Sequence, residues 1–170
     1  MKKNYYVSTN PVPNKTNTTT HPLMSWDLSG SFYWNTYFSH PSQEKAFLER
    51  LARMFGWQND LKRILQKNYL ALVLTDRSSV IRWVNKGFTE MTGYSSHFAI
   101  GRTPGFLQGP DTSREQRDEL VRKLGEQKPF HHQITNYRRN QELYECALEV
   151  HPLIDRQGQV EHYLALEWEA

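Results

Sequence analysis

The sequence predicts an α+β fold: a five-stranded antiparallel sheet with helices packed on one face, preceded by an N-terminal helical extension. Three observations predict it. Local patterns run in the order two strands, short helices, one longer helix, then three strands, an order that a single antiparallel sheet with a helical layer satisfies economically. The last strand alternates two sets, Tyr163, Ala165 and Glu167 against Leu164, Leu166 and Trp168. Two largely apolar sets mean that both sides of the sheet are covered there. Between the two groups of strands lies GRTPGFLQGPDT, in which Gly101, Pro104, Gly105, Gly109 and Pro110 enclose Phe106 and Leu107. Such spacing permits a short helical turn with sharp exits. It suits either a plain connector or the wall of a small-molecule pocket.

Taken in order, residues 1–22 are rich in Asn, Thr and Pro and form a polar N-terminus expected to be flexible. Residues 23–68 form a second unit. Trp26, Phe32, Tyr33, Trp34, Tyr37 and Phe38 crowd its first half; aromatics at this density pack on something, either the main domain or a second subunit. Ser42 suits the N-cap of a following helix. Phe47, Leu51, Met54, Leu61 and Leu65, with Gln58 as a polar member, fall at heptad-like steps. Gly56 is expected to bend or divide this helix. The row serves equally well as a cover for its own domain or as a dimer seam.

Residues 69–170 form the main domain. YLALVLTD (69–76) and SVIRWVN (79–85) read as a hairpin turning at Arg77-Ser78. NKGFTEMTGY (85–94) is a short helix with Phe88 and Met91 on one face and Gly93 at its end. Thr112 is placed to cap a helix reaching about Gln127, with Leu120, Val121 and Leu124 inward. Strands over 130–138, 142–154 and 159–169 follow, turning at Asn140-Gln141 and at Asp155 to Gly158.

Composition narrows the function classes. The chain of 170 residues carries 21 basic and 18 acidic side chains, a net charge of +3, with the signs interspersed. No basic stripe of the kind that binds nucleic acid is present. The single cysteine, Cys146, excludes an intrachain disulfide and a thiolate metal site. No signal-peptide core follows Met1-Lys2-Lys3, and no apolar run reaches membrane-spanning length. A soluble cytoplasmic protein is expected, with neither membrane nor nucleic acid as a partner. His131, His132, His151 and His162 lie on strands, but adjacent His131 and His132 face opposite sides, so no metal site is expected. No catalytic constellation stands out, and an enzyme is not expected.

NKGFTEMTGY, GRTPGFLQGPDT and ITNYRRN, at their spacing within residues 70–169, resemble the PAS superfamily and specifically its flavin-binding LOV branch. The resemblance implies the five-stranded PAS fold and places a ligand pocket at Thr103, Gln108, Asn136, Cys146 and Glu167. It also implies losses. Pro104 stands at the position of the reactive cysteine, and Thr103 replaces the asparagine before it. Gly105 and Val121 stand where two arginines would hold the FMN phosphate. Cys146 replaces one ring-contacting asparagine, Glu167 replaces the flavin-reporting glutamine, and Asn136 and Gln108 are kept.

The expectation is therefore a stand-alone PAS sensor or interaction module in cytoplasmic signalling, without a cofactor and without cysteinyl-flavin photochemistry. It would act through a homodimer or a signalling partner, with an unidentified small molecule left open. The alternative is a cysteine-less LOV-like flavoprotein sensing light or redox state, with FMN weakly held. For Glu167, at the end of the last strand, the favoured expectation is that its carboxyl reaches water; if enclosed, its pKa rises and it needs donors.

Overall fold

A computed structural model describes residues 41–170. The polar tract at 1–22 and the aromatic stretch at 23–39 lie outside the described residues. Helix α1 (Pro41–Phe55) and the single-turn α2 (Leu61–Ile64) come first. Strands β1 (Ala71–Asp76) and β2 (Ile81–Val84) follow, then the short helices α3 (Lys86–Thr92) and α4 (Ser96–Ala99). A 3-10 turn over Pro104–Leu107 leads to α5 (Arg114–Gly125). Strands β3 (Phe130–Tyr137), β4 (Leu143–Ile154) and β5 (Val160–Glu169) complete the order. The five strands form one sheet in the order β2-β1-β5-β4-β3, every neighbouring pair antiparallel.

Turn chemistry sets the hairpins. The Asp76 carboxylate accepts from the amides of Ser78 (2.8 Å) and Val80 (3.0 Å) and pairs with Arg82 at 2.6 Å, which closes the β1–β2 connection. Asp155 does the same between β4 and β5, accepting from Gln157 at 2.8 Å and Gln159 at 2.9 Å, with Gly158 at φ +78°. Asx turns of this kind satisfy backbone donors that the ladder leaves over.

Two apolar clusters lie on opposite faces of the sheet. On the face covered by α3, α4, the 3-10 turn and α5, the core includes Val73, Phe88, Met91, Leu107, Cys146 and Tyr163. On the other face, Leu72, Leu74, Trp83, Leu153, Leu164 and Leu166 meet Leu48, Leu51, Trp57, Leu61 and Leu65 of the N-terminal helices. The alternation in β5 therefore divides as expected, Tyr163 and Ala165 against one cluster and Leu164 and Leu166 against the other.

One buried carboxamide joins the two layers. Asn85 Oδ1 accepts from the amide of Leu72 (2.8 Å) and, as the N-cap of α3, from that of Phe88 (3.0 Å). Its Nδ2 donates to Glu44 Oε2 of α1 at 3.3 Å. Gly87 is required beside it, because a Cβ there would come within 1.7 Å of the Leu70 carbonyl oxygen. Farther along, Lys67 Nζ reaches Glu149 at 2.6 Å and fixes the chain leaving α2.

The heptad-like row is corrected in two places. Met54 is 47% exposed and Gln58 is exposed. The buried row on α1 is Glu44, Leu48 and Leu51. Gly56, at φ +69°, ends α1 and resets the helical phase, so one heptad register cannot run through it. The cap of α5 also differs. Ser113 is the N-cap and forms a capping box with Gln116, whereas the Thr112 hydroxyl, buried, donates to the Thr135 carbonyl at 2.6 Å. Helix α5 ends at Gly125, short of Gln127. Val121 is 69% exposed and not inward, while Leu120 and Leu124 do pack against the core.

Leu48→Ala should therefore destabilise the full chain by about 2–5 kcal/mol, and Met54→Ala by less than ~0.5 kcal/mol. Urea denaturation of both variants checks this; an equal loss from Met54→Ala would show that the exposed side of α1 is also packed.

Candidate functional site

The candidate site lies on the helix-covered face of β3, β4 and β5, walled by the 3-10 turn. Pro104 at the first position of that turn supplies a preset φ and lacks an N–H that the turn would leave unpaired. Thr103 precedes it, exposed, and makes no side-chain cap. Leu107 points into the core at 2% exposure, and Phe106 packs with Tyr94 (5.1 Å between ring centroids) and Phe98 (5.3 Å). Gln108, half-buried and extended, ends the turn with its amide donating to Gly105 at 3.1 Å. Gly109 is fixed by contact, since a Cβ there would come within 2.4 Å of the Tyr137 ring.

On the sheet, Asn136, Cys146 and Glu167 are all buried. Antiparallel register pairs Asn136 with Tyr144, Ile134 with Cys146 and Leu148 with Glu167. Strand periodicity then puts Tyr144, Cys146 and Leu148 on one face of β4. The structure thus brings Cys146 and Glu167 together, adds Tyr144 to them, and leaves Thr103 and Gln108 on the wall. Among the described residues, no hydrogen bond links Thr103 or Gln108 to Glu167. Tyr144 was not singled out from the sequence, although its spacing of two from Cys146 is the signal that places it beside the cysteine.

Glu167 overturns the expectation that it reaches water. The residue is 7% exposed, and burial pushes its carboxyl up to about 7 from an ordinary 4.5. Its Oε2 has no hydrogen-bonding partner among the described residues; the buried Tyr144 hydroxyl makes no well-formed hydrogen bond there either, with the Asn136 side chain its nearest polar neighbour across the ladder. Burial also raises the Tyr144 hydroxyl and the Cys146 thiol well above their ordinary values, with Glu167 adding to both shifts. Cys146 is therefore an uncharged thiol in the apolar core whose Sγ donates one long hydrogen bond to the Ala147 carbonyl, at 3.9 Å, and it is no poised nucleophile.

The residues present do not fit FMN. Gly105 offers no side chain, and Val121 faces solvent on α5. Two nearby arginines are engaged elsewhere. Arg102 donates from Nε to the Phe98 carbonyl (2.9 Å), and Arg117 donates from Nη2 to the carbonyls of Gly109 (3.0 Å) and Thr112 (2.7 Å). A phosphate dianion needs charge-assisted donors, and neither family position supplies one.

On the opposite face of β5, His162 is also buried, accepting at Nδ1 from Trp57 Nε1 (3.3 Å) and flanked by Phe55 at 4.6 Å. Burial lowers it to about 4 from an ordinary 6.5. As expected, His131 and His132 point to opposite sides: His131 is exposed near Glu149, and His132 is buried, its Nε2 2.9 Å from the Gln116 carbonyl. Among the described residues, no three His, Cys, Asp or Glu side chains are placed to hold a metal ion, and no helix is long and apolar enough to cross a membrane.

These two groups act oppositely on stability. Glu167, raised, contributes stability that is present below pH 4.5 and lost as pH rises through about 7. His162, lowered, contributes stability that is present above pH 6.5 and lost as pH falls through about 4. Each window corresponds to about 3 kcal/mol at ~1.4 kcal/mol per pH unit. Glu167→Gln should therefore be more stable than the natural chain at pH 8, by up to about 3 kcal/mol, with the gap closing towards pH 5. Urea denaturation at the two pH values checks this; a gap independent of pH would mean that the carboxyl is solvated.

Comparison with known proteins matches a PAS domain family model to residues 69–167. The nitrogen fixation regulatory protein of Klebsiella oxytoca is 32% identical over 104 residues, covering 61% of this chain and 21% of that protein. A blue-light photoreceptor of Listeria innocua is 30% identical over 96 residues, covering 55% of this chain and 38% of that protein. Among solved structures, the dark structure of the blue-light photoreceptor Aureochrome1 LOV superimposes with a TM-score of 0.62 at 27% identity, covering 66% of this chain and 84% of that one. The LOV domain of a blue-light activated histidine kinase from Erythrobacter litoralis gives 0.56 at 26% identity, covering 61% and 97%. The chain thus spans well under half the length of these two full-length relatives, which are themselves regulators and photoreceptors.

Proposed function

The chain belongs to the PAS domain family, and from that premise we propose that it is a sensor or interaction module of cytoplasmic signalling that does not form a cysteinyl-flavin adduct. The observation that carries the reading is the buried Glu167 Oε2, without a partner among the described residues and close to Tyr144 and Cys146, behind a wall with Pro104 in the reactive position. A buried polar atom left unpaired lowers stability by about 1–3 kcal/mol, and such atoms in a folded protein mark a functional site or an unassigned partner. Nothing at Pro104 can add to a ring, and the Cys146 thiol lies in the sheet among apolar neighbours.

Output in this reading passes through β5. The strand turns Glu167 to the pocket and Leu164 and Leu166 to the N-terminal helices. A change in the pocket or in the 101–109 wall then alters the packing of residues 41–67, and the signal reaches a protein partner or a second copy of the chain. What the pocket takes is left to its chemistry: a small molecule that satisfies Glu167 and Tyr144 without a phosphate.

The absorption spectrum of the purified chain tests the reading first. Flavin bands would favour a cysteine-less flavoprotein, a reading that the likeness to LOV structures keeps in view. Titration with FMN tests it further. Losing two charge-assisted partners, each about 1.5–3 kcal/mol, should weaken FMN by roughly two to four orders of magnitude. The natural chain should show no stoichiometric quenching of FMN fluorescence, and Gly105→Arg, Val121→Arg and Glu167→Gln combined should tighten binding. Tight binding by the natural chain would overturn the proposal.

A further inference from the structure

From the β3–β4 turn inward, the helix-covered face of the sheet presents Tyr144, then Cys146 with Glu169 opposite, then Leu148 with Glu167 opposite. Tyr144 and Cys146 are buried, although the Glu169 side chain beside them is 44% exposed. Arg138, the first residue after β3, lies over Tyr144, its guanidinium carbon 4.6 Å from the ring centroid.

Three elements hold that guanidinium. Nη2 pairs with Glu169 Oε2 of β5 at 3.0 Å, Nη1 donates to the Met91 carbonyl in the last turn of α3, and Nε lies 3.7 Å from Glu142, just ahead of β4. On its outer side Arg138 is a wall of a surface cleft of about 460 Å³, which Glu90, Gly93, Arg139 and Asn140 complete. One side chain therefore touches both the cleft and the ring that covers the site. Its two carboxylate partners, Glu169 and Glu142, are 44% and 61% exposed, so water can solvate them if the guanidinium leaves and no buried anion is stranded. Elsewhere the same face is closed by Phe88, Met91 and Leu107, whose displacement would open the close-packed core. Arg138 is the wall that moves at the lowest cost.

We infer that Arg138 is the gate of the buried site: its guanidinium, released from Glu169 and Met91, opens a passage from the cleft at Gly93 and Asn140 to Tyr144, Cys146 and Glu167. The inference rests on the reading of that site as a ligand pocket and names the way in. Its test uses no ligand, so the gate can fail while that reading stands.

The thiol reports the opening. Cys146 is the single cysteine of the chain, so its rate of modification by methyl methanethiosulfonate at a fixed alkaline pH measures access to the site. In the full chain, Arg138→Ala should raise that rate about tenfold or more, the factor expected from losing a charge-assisted hydrogen bond. Arg138→Lys keeps a charge for Glu169 and should fall between the two. Arg139→Ala, which removes another wall of the same cleft, should leave the rate unchanged. The rise should not depend on urea below the unfolding transition, because a local opening exposes little surface. Removing a cation does not favour the thiolate, so a faster reaction is not an ionisation effect. Arg138→Gln, closer in size to arginine, repeats the test where Arg138→Ala folds poorly. Rates equal to that of the natural chain, an equal rise from Arg139→Ala, or a rise that grows with urea as global unfolding does would each overturn the inference.

Discussion

The burial of β5 on both faces is the constraint on which the rest of this structure depends. The strand is central, hydrogen-bonded to β1 on one side and β4 on the other. Successive side chains alternate between the helix-covered core and the interface with α1 and α2. A slip of one residue would drive Glu167 into the apolar cover and Leu166 towards the helix-covered core, so register is held from both faces at once. Paired with β1 and β4, the strand presents no free edge.

His162 and Glu167 sit on this strand, five positions apart and on opposite faces, and both favour their neutral forms through burial. Their hydrogen bonding separates them. His162 receives the indole N–H of Trp57. Asn85, elsewhere in the same interior, uses its carboxamide for two amides and a carboxyl group. Glu167 Oε2 has nothing comparable. Asn85 uses both ends of its carboxamide, and the contrast with Glu167 Oε2 on the helix-covered face singles out that carboxyl as a candidate site.

The fold was legible from the sequence because strand alternation has a period of two and turn residues are local. Asp76, Gly93 and Asp155 stand where the turns and cap need them. The N-terminal helices were only half legible. Gly56 marked the division of the helix, but the apolar steps through Met54 and Gln58 still look like one seam, because periodicity alone does not show that the phase is reset there. Val121 failed for a related reason: an apolar residue on an amphipathic helix reads as inward unless its neighbours fix the face, and Leu120 and Leu124 already fill that face. In the site, Cys146 and Asn136 were placed by the resemblance to the family, and strand parity in the structure puts Cys146 on the face of Tyr144 and Leu148. Glu167 was not, because enclosure at a strand end is decided by long-range packing that local pattern does not carry.

The geometry also limits how the pocket and the cover can be connected. Leu70 donates its amide to the Glu167 carbonyl at 2.9 Å, and Ala71 pairs with Glu167 across the β1–β5 ladder. The residue with the unpartnered carboxyl thus holds, through its own backbone, the point where the chain passes from α2 into the sheet. A charge appearing on that carboxyl would favour any movement that lets water reach it, and the nearest backbone to yield is this junction. No long chain of intermediaries is needed, because side chain and junction belong to one residue and its hydrogen-bonded neighbour. Coupling by this route would be short and would depend on the packing of Leu164 and Leu166, which share the face covered by α1 and α2.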